Sequence, residues 1–150
     1  DQCGSRGLGD VYKRQFMGRS LPCIPQSCSA CCRETTMPIT KSEASRLSRR
    51  TGMRLEQFTW SNNGILTLLN NEKTKACVFL LTDSSNKNAE GLCSVYDIRP
   101  KGCTTYPYVL DKDDQVILDM GCPYKESFPQ PTEDDAMTLL NLEDRLMRGE

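Results

Sequence analysis

The feature that most constrains this chain is its set of potential metal ligands, which contains nine cysteines and no histidine in 150 residues. Without histidine the chain can form no Ser-His-Asp triad, Cys-His dyad, HExxH protease site, Cys₂His₂ finger or histidine-ligated haem. Four of the cysteines lie close together, at Cys23, Cys28, Cys31 and Cys32. Two thiolates separated by two residues can reach one ion, while the backbone N–H groups between them stabilise their charge. This cluster therefore predicts a metal site built from thiolates.

Eight of the nine cysteines are candidate metal ligands, since Cys3 lies in a segment that we exclude below. The eight are Cys23, Cys28, Cys31, Cys32, Cys77, Cys93, Cys103 and Cys122. Eight thiols suit two four-thiolate sites, or four disulfides in a secreted domain. The adjacent pair Cys31 and Cys32 favours metal over disulfides. Because neighbouring side chains diverge, these two either serve different ions or include one that is not a ligand.

Residues 1–15 contain the stretch GSRGLGDVYKRQ, which resembles a translated sequencing-adapter scar. We therefore exclude residues 1–15 and expect one metal-binding cysteine-cluster domain over residues 16–150. The chain carries 19 basic and 20 acidic residues, which gives no basic surface for nucleic acid or an anionic membrane. No stretch approaches the roughly 18 apolar residues of a membrane-spanning helix. We expect a cytoplasmic protein without nucleic-acid or membrane partners.

Two capping boxes predict the main helices. Thr40 and Glu43 open a helix that begins at Lys41 and stops at Gly52. Its inward face is predicted at Ala44, Leu47 and Thr51, and a short helix or turn near Leu55, Phe58 and Trp60 closes over it. A second box, Thr132 to Asp135, opens a helix over 136–148. The packing face of that helix is predicted at Met137, Leu140 and Leu146, flanked by Leu139 and Leu142.

Strand-like runs between these helices predict two hairpins. Residues 65–69 are expected to pair with 76–81, across the polar turn 70–75. Residues 109–110 are expected to pair with 116–118, across an acidic turn. Helices at both ends with hairpins between them predict a small α+β domain, organised around the cysteine-rich loop and its thiolate metal site.

A second cysteine motif lies between residues 93 and 107. It has the form C-x2-Y-x2-R-P-x2-C-x2-Y-P, with Cys93, Tyr96, Arg99, Pro100, Cys103, Tyr106 and Pro107. Together with Cys28, Cys31, Cys32 and Arg33, this motif resembles the YkgJ-like cysteine-cluster family of zinc- or iron-chelating domains. Cys77, followed by Val-Phe-Leu, and Cys122-Pro123 are similar to further parts of that pattern. The chain departs from it in the four residues between Cys23 and Cys28, where the family has two, and at Thr104, where the family commonly has arginine.

The resemblance implies a metal partner, zinc or iron, with an iron–sulfur cluster included. It implies no particular reaction, although some relatives look like flagellin lysine methylases. No GxGxxG loop for a methyl donor occurs, so a methylase would need another component. Two function classes therefore stay open, a metal-binding module that is structural, stores metal or docks a protein partner, and a metalloenzyme or electron carrier.

Four further residues are expected next to the ligands: Arg33, Tyr96, Arg99 and Tyr106. Arg99 either binds an anion beside the site or braces the local backbone through its guanidinium fork. The tyrosines either hydrogen-bond a ligating sulfur, supply a general acid, or simply pack.

Overall fold

Four α-helices and three two-stranded antiparallel sheets make up the described part of the chain, which is residues 28–33 and 35–150 of a computed structural model. The helices are α1 (Lys41–Thr51), α2 (Leu55–Phe58), α3 (Lys101–Thr105) and α4 (Glu133–Met147). The strands are β1 (Thr59–Asn62), β2 (Ile65–Leu68), β3 (Leu80–Leu81), β4 (Leu92–Cys93), β5 (Tyr108–Leu110) and β6 (Val116–Leu118). This confirms the predicted α+β class. The expectations for residues 1–15 and for Cys23 lie outside the described residues.

Helix α1 forms as its capping box predicts. The Thr40 hydroxyl accepts the Glu43 N–H at 3.2 Å, and a Glu43 carboxylate oxygen accepts the Thr40 N–H at 2.9 Å. The helix ends at Gly52, whose φ of 74° is left-handed and therefore suits glycine. Ala44 and Leu47 are buried, so the predicted inward face is confirmed at these two positions.

The predicted pairing of residues 65–69 with 76–81 is confirmed only next to the turn, where the Val78 N–H donates to the Leu69 carbonyl at 3.0 Å. Strand β2 pairs instead with the preceding strand β1, from Thr59 opposite Leu68 to Asn62 opposite Ile65. Asn63 and Gly64 have positive φ angles of 54° and 85°, the conformation of a tight two-residue hairpin turn, so the chain reverses there. The 76–81 stretch contributes β3, which pairs with β4, and two isolated bridges, from Asn70 to Cys77 and from Arg33 to Ala76.

The C-terminal half follows the predictions more closely, apart from the face of α4. Strands β5 and β6 pair across the predicted acidic turn. Helix α4 begins at Glu133 after the Thr132 cap, and it buries Leu139 and Leu142. The predicted packing face is wrong at Met137, which is 57% exposed. The helix packs against α3, β5 and β6, and these contacts turn the flanking leucines inward.

Two hydrophobic clusters form the interior of the described residues. The first cluster gathers α1, the β1–β2 hairpin and the chain around β3: Ile39, Ala44, Leu47, Phe58, Leu68, Phe79 and Val95. The second cluster gathers β5, α4 and the turns between them: Tyr108, Cys122, Phe128 and Leu139. None of the described helices is both long and apolar enough to cross a bilayer.

Candidate metal centre

All seven described cysteines line one cavity of about 340 Å³. They are Cys28, Cys31, Cys32, Cys77, Cys93, Cys103 and Cys122. Its wall also includes Leu68 and Phe79 of the first cluster and Phe128 and Leu139 of the second. The thiols therefore lie where the two clusters meet.

Backbone hydrogen bonds bring the N-terminal thiols together. A short 3₁₀ turn, Ala30–Cys32, folds the cysteine loop back on itself. The Cys77 N–H donates to the Cys32 carbonyl at 2.6 Å, which places these two residues side by side. Cys93 belongs to β4 and is paired with Leu80 of β3, three residues beyond Cys77. Residues far apart in sequence thus share one wall of the cavity.

The other two thiols come from the C-terminal half. Cys103 is the third residue of α3, and its N–H donates to the Pro100 carbonyl at 3.0 Å. Cys122 follows β6, in a turn where its N–H donates to the Asp119 carbonyl at 3.2 Å. Cys122 also belongs to the second cluster, so this thiol is part of both the cavity and the packing.

Burial keeps most of these thiols protonated in the absence of a cation. It raises the pKa of Cys77 to about 11, and it also raises the pKa values of Cys93, Cys103 and Cys122. Cys31 is different, because a hydrogen bond from Cys32 lowers the pKa of its thiol. The positive charge of Arg99 lowers that pKa further. The same hydrogen bond raises the pKa of Cys32.

Among the described residues, Arg99 is a cation whose charge acts on the cavity thiols. Its guanidinium carbon lies 3.7 Å from the centre of the Tyr96 ring, and its Nε donates to the Tyr96 carbonyl at 3.0 Å. Arg99 and Tyr96 both line the cavity. The charge of Arg99 favours the thiolate forms of Cys31, Cys93 and Cys103. Its contacts with Tyr96 brace the local backbone, which is one of the two roles that the sequence left open, and it also lines the cavity of the thiols.

Tyr106 lines the same cavity and donates its hydroxyl to a carboxylate oxygen of Asp119. Burial, followed by this hydrogen bond, raises the pKa of Tyr106 well above its ordinary value, so the hydroxyl keeps its proton. A Cβ atom on Gly121 would come within 3.2 Å of the Asp119 carboxylate and 3.3 Å of the Tyr106 hydroxyl. Asp119 and Gly121 were not singled out from the sequence, because nothing local in the sequence joins them to Tyr106.

Arg33 lies outside the cavity that the thiols line. It is 5% exposed and is not among the residues lining the cavity. Its guanidinium donates to the Ser29 hydroxyl at 3.1 Å, the Ser84 carbonyl at 2.6 Å and the Thr82 hydroxyl at 3.1 Å. Ser29 in turn donates to the Ala89 carbonyl at 2.8 Å. Arg33 therefore fastens the cysteine turn to the loop that precedes β4.

Comparison with known families matches residues 22–123 to the CxxCxxCC model, which is described as "Putative zinc- or iron-chelating domain". The chain belongs to the CxxCxxCC family. This confirms the resemblance to a cysteine-cluster family that the two motifs carry. The matched range contains Cys23 and all seven cysteines of the cavity. Comparisons with curated proteins and with solved structures found no match.

The donor set of this CxxCxxCC domain fits the family description. Thiolates are ligands for zinc and for iron in clusters. The seven described cysteines are free thiols, so no two of them form a disulfide. In the part of the chain that the structure describes, no three cysteine or carboxylate side chains are already placed to hold one ion. The fold thus brings the thiols to one cavity without arranging three of them around a single point.

Proposed function

We propose that this CxxCxxCC domain chelates zinc or iron through its cysteine thiolates, and that the metal joins the two hydrophobic clusters. The proposed ligands are drawn from Cys23, Cys28, Cys31, Cys32, Cys77, Cys93, Cys103 and Cys122. One observation carries the proposal, which is that seven of these residues, from separate stretches of the chain, line a single cavity. Nothing in ordinary hydrophobic packing requires that many thiols to converge.

The charges around the cavity support a cation inside it. Several uncompensated thiolates in a partly apolar cavity would be costly, and the raised pKa values of Cys77 and Cys93 express that cost. A metal ion removes the cost, because thiols that coordinate it lose their protons. We assign Arg99 the role of offsetting the remaining negative charge, with Tyr96 holding it in place.

The other residues expected near the ligands receive structural roles. Tyr106 and Asp119 brace the turn that carries Cys122. Arg33 holds the cysteine turn against residues 82–84. We propose that these contacts set the directions of the thiols before metal arrives, which lowers the entropy lost when the site closes.

The position of the site between two clusters favours a structural module over a reactive centre. A four-thiolate zinc site would be closed, whereas an iron–sulfur cluster could carry electrons or serve a partner enzyme such as a methylase. We assign no catalytic residue. We propose a cytoplasmic location, where cysteines stay reduced, with the metal ion as the first partner.

Metal analysis and an optical spectrum of the full chain, purified without oxygen, test this proposal. Colourless protein with about two zinc ions would identify closed thiolate sites. Brown protein with iron and inorganic sulfide would identify a cluster and move the assignment to electron transfer. Folded, reduced protein that retains neither metal after incubation with each would contradict the proposal.

A further inference from the structure

We propose that Glu43 is a positioning residue for the Cys103 thiol, because its carboxylate caps the helix that carries this cysteine. The inference rests on the proposed metal-chelating function. It goes beyond the predicted role of Glu43, which was limited to the capping box of α1. It connects a helix with no cysteine to the geometry of the metal centre.

The carboxylate of Glu43 serves two helices at once. One oxygen accepts the Thr40 N–H at 2.9 Å, which completes the α1 capping box. The other oxygen accepts the Lys101 N–H at 2.6 Å, at the first residue of α3. The Glu43 residue is only 8% exposed, and these two N–H donors replace the water that its charge has lost.

Helix α3 needs an acceptor from outside its own sequence. It contains five residues, fewer than an isolated helix needs to be stable. Its N-cap is Pro100, and no side chain of that residue accepts a hydrogen bond from the first turn, as a serine or aspartate would. The contact from Glu43 therefore supplies the cap that Pro100 cannot.

A second contact, between Gly102 and Met37, holds α3 against the first cluster. A Cβ atom on Gly102 would lie 2.5 Å from the Met37 sulfur, so the helix backbone approaches this side chain closely. Met37 packs against the first cluster, and its carbonyl accepts the N–H of Leu68 at 2.9 Å. Glu43 and Met37 together fix α3 to the first cluster. Cys103, the next residue along, is thereby held at the cavity wall.

The test compares Glu43→Gln with Thr40→Ala in the full chain. Glutamine has nearly the same shape but only one acceptor oxygen, so it cannot accept from both N–H groups. Thr40→Ala weakens the same helix cap while leaving both carboxylate oxygens of Glu43 in place. We expect both variants to lower the melting temperature of the chain, and only Glu43→Gln, which loses the charge and one of the two acceptor oxygens, to weaken the contact with α3. Zinc affinity is measured by competition with a chelator, and the rate of Cys103 alkylation relative to Cys77 is measured by mass spectrometry after metal removal.

We expect Glu43→Gln to weaken zinc binding about tenfold, a loss typical of residues that orient a ligand. We also expect it to raise the Cys103 to Cys77 alkylation ratio severalfold, with neither effect in Thr40→Ala. If both variants behave alike, or if Glu43→Gln changes only the melting temperature, the inference is overturned. If the wild-type chain binds neither zinc nor iron, the proposed function fails, and the alkylation ratio alone still decides whether Glu43 positions Cys103.

Discussion

The two hydrophobic clusters of this domain are built in different ways. The first cluster rests on local structure that is complete in itself, since α1 has a full capping box and a glycine stop, and the β1–β2 hairpin has an Asn-Gly turn. The second cluster consists of four buried residues, and all four line the thiol cavity, with Cys122 among them. From this comparison we expect the first cluster to persist by packing alone and the second to depend on what occupies the cavity.

The two clusters also differ in size, with seven buried residues in the first and four in the second. Leu47 of α1 is completely buried, while α4 leaves Met137 and Met147 exposed at 57% and 72%. Burial of apolar side chains is the main favourable term in folding. The second cluster is therefore stabilised by less buried apolar surface than the first. A metal bound by thiols from both halves of the chain would stabilise it further by connecting it to the first cluster.

The largest effect is expected from Cys103→Ser. Loss of this thiol removes a proposed ligand from α3, so the chain should fail to retain stoichiometric metal and the second cluster should loosen. Metal content and thermal unfolding measure the result. Cys3→Ser is the matched control, because Cys3 is the one cysteine outside the candidate set, and it should retain full metal. Stoichiometric metal in Cys103→Ser and in Cys31→Ser would show that the cavity thiols are not ligands.

Truncation of a buried leucine in each cluster sharpens the comparison. Leu47→Ala should lower the free energy of unfolding by roughly 2–5 kcal/mol with or without metal, because the first cluster is intact in both states. Leu139→Ala should lower it in the metal-loaded protein and have a much smaller effect after chelation, when the second cluster is already loose. Chemical denaturation of the four samples measures these differences. Equal losses for Leu139→Ala in both states would break the proposed division.

The stability of the first cluster should depend on pH through Cys77 and Cys93. Burial raises the pKa of Cys77 from an ordinary 9.0 to about 11, and it raises that of Cys93 in the same direction. A group with a raised pKa in the folded chain stabilises it below the ordinary pKa, and this contribution is lost as pH rises through the folded value. In reduced, metal-free protein the free energy of unfolding should therefore fall between pH 9 and about 11.

Urea denaturation at pH 7, 9 and 11 checks this pH dependence. In the metal-loaded protein, the free energy of unfolding should fall as pH is lowered, since protons displace metal from thiolates. A metal-free protein whose stability is flat or rising above pH 9 would mean that these two thiols are not buried as described.

The smallest effect is expected from Gly64→Ala, far from the thiols in the chain. Gly64 has a φ of +85° with open space around it, so alanine costs backbone strain but no clash. The expected loss is about 1 kcal/mol in thermal unfolding, with the metal content unchanged. Any loss of metal in this variant would show that the β1–β2 hairpin and the cavity are more tightly coupled than the two-cluster division allows.

The sequence predicts best where the physical cause is local. The α1 box needs only Thr40, Glu43 and Gly52, and strands β5 and β6 are neighbours across a short turn. The Asn63-Gly64 turn is equally local. Asn-Gly is a strong signal for a tight hairpin turn, and it indicates the β1–β2 hairpin better than the strand-like run at 76–81 indicates a pairing with β2.

Other features depend on tertiary contacts that no local pattern carries. The inward face of α4 is set by its packing against β5 and β6, so periodicity alone selected the neighbouring leucines. The second oxygen of Glu43 reaches Lys101, which is 58 residues away. The cysteine motifs predicted that thiols would converge, but only the fold places Arg33 away from them and Arg99 beside them.

Hydrogen exchange of the backbone amides tests the central claim most directly. The rates in α1 and α4 are compared by mass spectrometry for the reduced, metal-loaded chain and for the same chain after chelation. The account predicts that chelation accelerates exchange in α4 and in β5–β6 about tenfold more than in α1, because the metal is what joins the second cluster to the first. Exchange that is unchanged in α4, or accelerated equally in both helices, would contradict it.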